Sequence, residues 1–300
     1  MAAREPLAQT DNSAPPRHRA GRVLAPILAC LAFTCGCVSA GGAVAQEAVS
    51  GAPEPTYADL ADLAVKASIV PILTITGQAA VEPERSPGLR PGTVRLYLEA
   101  ETETLLAGDR GIGESVRYLA DVPLGANGKP PNLRKARMIV FAHPAGAALD
   151  QLQRVERDSQ LLATPVREGR VRAILTELVS PDAPPHVTGV RDVLAVPGNL
   201  AGEWETQIFL STGNRAPASI TILRRAGQPF EWGVSWNELV AHSLTPPQRD
   251  SLEWYRLACF LPAQMPPGAL IGADAAAREQ ATVDYLLVLR DLGPCQRNRG

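Results

Sequence analysis

The chain has 300 residues, of which 45% are hydrophobic and 20% are charged, and its formal net charge is −2. This length allows one large or two small domains, and the composition differs from the low hydrophobicity and high net charge of disordered chains. A charge close to zero, without a basic stripe, argues against nucleic acid as a partner.

The first predicted element is an export signal. A polar segment that contains arginines, residues 1–22, precedes an uncharged apolar stretch over residues 23–37. The tripeptide Ala43–Ala45 has the small residues that a signal peptidase requires, so we expect a signal peptide over residues 1–45. Retention of this segment as a membrane anchor is the alternative. Once the signal is removed, we expect no integral membrane segment.

Residues 46–150 are predicted to form a mainly β domain. A short helix comes first, because Thr56 and Asp59 make a Thr-x-x-Asp start before an apolar face over residues 57–67. In Val94–Thr102, apolar and polar residues alternate with the period of a half-buried strand. Weaker runs predict strands at 68–81, 115–122 and 137–143. These strands are compatible with a small N-terminal β-barrel.

Residues 151–300 are predicted to form an α+β domain that ends in two helices. Thr164-Pro165 opens a helix, since a hydroxyl N-cap followed by proline favours the first turn. Strands are predicted at 187–196, 205–211, 219–225 and 230–236, and turn residues between the last three indicate an antiparallel meander. Because strands occur in groups, the chain is expected to be α+β with antiparallel sheets.

The predicted C-terminal helical pair follows the meander. Thr245-Pro246 repeats the capping pattern and predicts a helix that ends near Leu261. The last helix is expected to begin near Asp274 and to end at Gly293-Pro294, where glycine suits a helix C-cap and proline cannot continue the helix.

Two cysteines, Cys259 and Cys295, remain if the signal peptide is removed, because Cys30, Cys35 and Cys37 lie within it. In an exported protein, an even pair of cysteines most simply forms one disulfide. Two buried free thiols are the alternative. We therefore predict a Cys259–Cys295 disulfide.

No motif in the chain identifies a catalytic, metal or cofactor site. His143, His186 and His242 have no metal-ligand spacing, and Gly233–Asn237 lacks the second glycine of a serine nucleophile turn. Gly108–Gly113 is predicted to be a hairpin loop, since no helix follows it that could hold a phosphate. We therefore expect no metal and no cofactor, and we name no catalytic residue.

Two surface features have alternative interpretations. The basic residues of one loop could meet an anionic surface or simply face solvent; they are Lys129, Arg134, Lys135 and Arg137. The tryptophans lie in the C-terminal half, where they indicate either core packing or an aromatic ligand groove; they are Trp204, Trp232, Trp236 and Trp254.

Two segments, residues 189–210 and Trp254–Pro262, resemble an uncharacterised family of exported proteins from alphaproteobacteria. The resemblance extends from about Tyr57 to Cys295 and implies a fold common to the family. It implies no activity and no site residues.

These features together predict a periplasmic or secreted protein. We expect a non-catalytic binding or interaction protein whose partner is an unidentified protein or small molecule. The alternative is a periplasmic hydrolase whose site is assembled from residues scattered over loops. A concave pocket with a convergent set of polar groups would favour a hydrolase, whereas an exposed apolar patch would favour an interaction protein.

Overall fold

The computed structural model describes residues 53–237 and 244–299. These residues form two antiparallel sheets and four helices, which confirms the predicted α+β class. The helices are α1 (Tyr57–Lys66), α2 (Pro165–Leu178), α3 (Leu252–Ala258) and α4 (Ala275–Leu292). The strands of sheet A are β1 (Ile69–Ala80), β2 (Thr93–Gly108), β3 (Ser115–Pro123), β4 (Arg137–Val140), β5 (Ala142–Pro144), β6 (Leu152–Arg154) and β7 (Gln160–Leu162). Those of sheet B are β8 (Val187–Pro197), β9 (Trp204–Thr212), β10 (Ser219–Arg224) and β11 (Glu231–Ser235).

Three helices begin where their caps predict. Thr56 and Asp59 form a capping box at the start of α1, and the Thr164 hydroxyl accepts a hydrogen bond from the backbone N–H of Arg167 at the start of α2. Asp274 caps α4, which ends before Gly293 at a φ of 69°. Glycine is favoured at this end because a positive φ carries no steric cost without a Cβ.

The predicted start of α3 is wrong. The helix begins at Leu252, with Ser251 as its N-cap, and not at Pro246. A second proline at Pro247 disfavours the helical conformation at the residue before it, and Asp250 has a positive φ of 59°. The chain therefore enters the helix one turn or more later than the Thr-Pro pattern predicts.

Sheet A is strongly curled into a half-barrel. Its strands follow the order β3-β2-β1-β4-β7, while β5 pairs with both β1 and β6. A parallel bridge between Arg117 and Gln151 then brings the start of β6 to the edge of β3. The buried side chains inside this curl include Leu96, Leu98 and Val116.

Strand β1 is buried on both faces. Ile69 and Leu73 contribute to the interior of sheet A, whereas Val70 and Ile72 contribute to the core beneath the helices. A strand covered on both sides has a continuous apolar run, which explains why its alternation is weak in the sequence. Pro71 is tolerated because the pairing with β2 shifts register beside it.

Sheet B is the predicted antiparallel meander, in the order β11-β10-β9-β8. Its buried face packs against α4 through Ile208, Ile220 and Val288, among others. The indole of Trp232 is buried and donates to Asp291 of α4 over 2.6 Å. The core-packing interpretation of Trp232 is thus supported by a satisfied hydrogen bond.

The sulfur atoms of Cys259 and Cys295 lie at disulfide distance, 2.04 Å apart. The first follows α3 and the second follows α4, so the bond joins the two C-terminal helices. The chain beyond it returns to α1, where Arg297 donates to Asp62 over 2.6 Å.

Several predictions fall on residues that the structure does not describe. The signal peptide over residues 1–45, its cysteines and His242 lie outside the described ranges. Within those ranges, no helix has the length and hydropathy to cross a membrane. The predicted division into 46–150 and 151–300 stays a prediction.

Candidate ligand groove

An open groove of about 930 Å³ lies across sheet A, a volume in the range of small-molecule sites. Its floor is formed by β2 and β3, and its walls by the segment after β1 and by residues 151–157. The polar residues that line it and can carry its chemistry are Arg85, Arg95, Tyr97, Arg117, Asp121, Gln151, Gln153, Arg154 and Arg157.

The alternation of β2 and β3 supplies the floor. Arg95 and Tyr97 leave β2 on the face opposite buried Leu96 and Leu98, because successive side chains of a strand point to opposite sides. Arg95 stands across from Asp121 in the pairing of the two strands. The groove is therefore built on regular strands that are held by the packed interior of the curl.

One ion pair spans the floor of the groove. Arg95 donates from Nε and Nη2 to the two carboxylate oxygens of Asp121, at 2.6 and 2.9 Å, and both side chains are largely buried. The hydrogen bond from Arg95 lowers the pKa of Asp121 below its usual value. Asp121 therefore stays ionised and paired, which makes it a poor general acid near neutral pH.

The groove is lined by five arginines and three carboxylates. Asp121 forms an ion pair with Arg95, and Glu156 forms one with Lys66. Arg117 pairs with Asp150 beside the groove. Glu82 is the remaining carboxylate of the lining.

Three arginines of the groove are not in ion pairs with any described residue; they are Arg85, Arg154 and Arg157. Arg157 donates to the carbonyl of Gly88, at 2.9 Å, and both Arg85 and Arg157 are exposed. Arg154 is partly buried and donates to the carbonyls of Leu119 and Arg157. An excess of unpaired positive charge in a concavity attracts an anionic ligand.

The candidates singled out in the sequence lie elsewhere. The Oγ atom of Ser68 is 3.1 Å from Nδ1 of exposed His143, and neither residue lines the groove. His186 stacks edge-on against Phe260. Ser235 is buried within β11, and its Oγ donates to the carbonyl of Asn237.

Two of the four basic residues in the loop interact with the sheet. Arg137 forms a bidentate pair with Glu103, and Arg134 donates to the carbonyl of Thr76 over 3.0 Å. No group of three or more His, Cys, Asp or Glu side chains within 53–237 and 244–299 is arranged to hold a metal ion.

Sequence reasoning did not find the groove. Its arginines come from four segments of ordinary composition, and nothing in their spacing brings Arg85, Arg117 and Arg154 together. The short strand β6, which contributes one wall, was not predicted. The sequence signal that could have indicated the groove was the set of polar residues at outward positions of β2 and β3, such as Arg95 and Asp121.

Comparison with known protein families finds no family model that matches this chain. A search of curated proteins likewise finds no match. The functional interpretation of the groove therefore rests on the geometry of the groove itself.

Proposed function

We propose that this chain is an exported, non-catalytic binding protein whose anionic ligand lies in the groove of sheet A. The observation that carries the proposal is the set of three groove arginines without an ion pair among the described residues. A guanidinium presents several donors to a carboxylate or phosphate, so such arginines favour an oxyanion over a neutral molecule.

A binding role is preferred to hydrolysis because of the chemistry of the lining. Among the residues that the structure describes, no serine, cysteine or histidine lines the groove, and these side chains most often act as nucleophiles or bases. The specific observation in favour of a hydrolase is the contact between Ser68 and His143. No described carboxylate is hydrogen-bonded to His143 to orient it, as a catalytic triad would require.

Replacing both exposed groove arginines tests the proposal. We expect the wild-type protein to bind at least one of three anionic probes, which are a uronate hexamer, hexaglutamate and tripolyphosphate, and to bind neutral maltohexaose more weakly. The double variant Arg85→Gln/Arg157→Gln should lose about tenfold or more in affinity, since it removes two charged donors. Isothermal titration calorimetry at two salt concentrations measures both effects, and affinity should fall as salt rises.

Arg278→Gln is the matched control, because Arg278 is exposed on α4 and does not line the groove. It should bind as the wild type does. Absence of binding by the wild type to all three anions would refute the proposal, and so would an equal loss of affinity in the control.

Export is proposed from the signal-like segment, and the sulfur pair at disulfide distance between Cys259 and Cys295 supports it. The full chain expressed in a bacterium with a periplasm should be recovered from that compartment with Gln46 as its first residue. Mass spectrometry of the intact protein, with and without reductant, should show a difference of two hydrogens. A cytosolic protein that retains Met1 would contradict export.

Membership in the exported alphaproteobacterial family is also a proposal. The two segments that carry the resemblance cover most of the β8–β9 hairpin and most of α3. They lie apart from the groove, so the ligand proposal does not depend on them.

A further inference from the structure

Strand β3 lies at one end of sheet A and has an open edge. Its other edge pairs with β2 along the whole length of the strand. On the open side, a single parallel bridge joins Arg117 to Gln151, and no strand in the described part of the chain pairs with β3 beyond this bridge. The stretch from Leu119 to Pro123 therefore has an unpaired backbone edge, and both Leu119 and Asp121 line the groove.

The hydrogen-bond pattern shows which backbone groups face the open edge. The N–H of Arg117 donates to the carbonyl of Asp150 over 2.8 Å and so points away from β2. In an antiparallel pair, the N–H and carbonyl of one residue point to the same side, and the side alternates from residue to residue. Because the pairing of β3 with β2 has no register shift, the backbone groups of Leu119 and Asp121 also face the open edge. The Leu119 carbonyl agrees with this, since it accepts a hydrogen bond from Nε of Arg154 over 2.8 Å.

A side chain, and not a backbone pair, joins β3 to β6 at Leu119. Arg154 belongs to β6, and its guanidinium reaches across to the Leu119 carbonyl. Paired strands are only about 4.8 Å apart, which leaves no room for an arginine side chain between them, so the two strands have diverged at this point. The N–H and carbonyl of Asp121 and the carbonyl of Pro123 lie further along the same open edge.

The unpaired cations of the groove lie beside this edge. Nη1 of Arg154 donates to the carbonyl of Arg157, whose own Nη2 donates to the carbonyl of Gly88. Nη2 of Arg154 makes no hydrogen bond with a described residue and is not among the fully buried atoms. The carboxylate of Asp121 is already held by Arg95 through two hydrogen bonds. An acidic partner at the open edge would therefore meet an excess of positive charge.

We propose that the open edge of β3 at Asp121 and Pro123 binds an extended acidic peptide as an added strand. The proposal rests on the proposed function and specifies its ligand class. The peptide residue opposite Asp121 would exchange two backbone hydrogen bonds with it, as in an antiparallel pair. The peptide carboxylates would bind the groove arginines that have no ion pair among the described residues, which are Arg85, Arg154 and Arg157.

A peptide uses this surface more completely than an acidic saccharide or a polyphosphate does. All three can bind arginine side chains, but only a peptide has N–H and carbonyl groups at the spacing of a strand edge. In strand addition, the main-chain hydrogen bonds supply affinity and the side chains supply specificity. A free strand edge beside unpaired positive charge therefore favours an acidic polypeptide segment.

Two N-methylated peptides test strand addition. The parent is an octapeptide of alternating threonine and glutamate with blocked ends. In an extended chain, the glutamate N–H groups face one edge and the threonine N–H groups face the other, so methylating either set blocks one edge and keeps the charge. We expect one methylated peptide to bind about tenfold or more weakly than the parent, because its donors toward β3 are lost. The other should bind nearly as the parent does, and isothermal titration calorimetry measures all three affinities.

Each methylated peptide is the matched control of the other, since the two have the same composition and charge. Equal affinities of all three peptides would overturn strand addition. Equal losses in both methylated peptides would overturn it as well, because a single strand added to β3 uses only one of its own edges.

Amide hydrogen exchange locates the added strand on the protein. In the complex with the parent peptide, the Asp121 N–H should exchange about tenfold or more slowly than in the free protein. Saturation with tripolyphosphate, which has no backbone to pair, should leave its rate unchanged. The N–H of Ala120 faces β2 and is the internal control, so it should not gain the same protection. An unchanged rate for Asp121 in the peptide complex would contradict the added strand.

The outcomes separate the two proposals. If tripolyphosphate binds and Arg85→Gln/Arg157→Gln weakens its binding, while the parent peptide does not bind or shows no difference between its methylated forms, strand addition is wrong and the anion-binding groove stands. If the wild type binds none of the anionic probes, the proposed function itself fails.

Discussion

Replacing Asp284 with alanine is expected to lower the free energy of unfolding by about 3–5 kcal/mol, the usual range for breaking a buried ion pair. Asp284 is fully buried in α4 and accepts hydrogen bonds from the Thr206 hydroxyl at 2.6 Å, from Nε of Arg224 at 2.5 Å and from Gln280 at 3.0 Å. The variant would leave Arg224 without its charge partner. Urea unfolding followed by tryptophan fluorescence measures the change.

Two further variants control this prediction. Glu279→Ala, on the exposed side of the same helix, should change stability by less than about 0.5 kcal/mol. The double variant Asp284→Leu/Arg224→Met should recover much of the loss, because replacing both members of a buried pair removes the uncompensated charge. A loss below about 1 kcal/mol for Asp284→Ala would show that the network does not stabilise the contact between α4 and sheet B.

Removing the disulfide by Cys259→Ala/Cys295→Ala is expected to lower the free energy of unfolding by about 3–4 kcal/mol. The two cysteines are 36 residues apart in sequence, so the bond restricts a long loop in the unfolded chain. In the folded protein, it also anchors the last residues, whose Asn298 backbone N–H donates to Asp59 of α1 over 2.9 Å. Thermal unfolding of the two proteins at equal concentration gives the difference.

Reduction of the wild type provides the matched control, since reduced wild type and double variant should unfold at nearly the same temperature. Two thiols that react with an alkylating agent in the folded, unreduced protein would contradict the bond. Equal stability of the variant and the oxidised wild type would contradict its contribution.

Much of the fold follows from local sequence signals. Thr56 with Asp59, Thr164 with Pro165, and Asp274 with Gly293 mark helix ends through side-chain caps and backbone conformation, and these signals act within a few residues. The alternation in β2 likewise predicts which side chains are buried. Features of this kind do not depend on distant parts of the chain.

Two errors, the missed strands β6 and β7, arise where distant contacts decide the structure, and a third has a local cause. Strands β6 and β7 have three residues each and become strands by pairing with β5 and β4, which their own sequences do not specify. The late start of α3 depends on Pro247 and on the positive φ of Asp250. Pro247 is a local signal, but the prediction was based on the Thr-Pro pattern instead. The unpredicted β6 contributes Arg154, so missing it also hid the groove.

The candidate site could not be predicted for a related reason. Its defining property is that Arg85, Arg154 and Arg157 lack carboxylate partners among the described residues, whereas other arginines, such as Arg95 and Arg137, have them. Sequence counts cannot separate paired from unpaired charges, because the partners come from other strands. Only the three-dimensional arrangement shows a local positive excess in a chain of net charge −2.

The most direct measurement of the central claim is a map of where an anionic ligand binds. Backbone amide chemical shifts of the isotopically labelled protein, recorded during titration with each of the three anionic probes in turn, should change in β2, in β3 and over residues 151–157 with the probe that binds most tightly. Shifts centred on the basic loop with Lys129 and Lys135, or no saturable shifts at all, would contradict the assignment of the groove as the binding site.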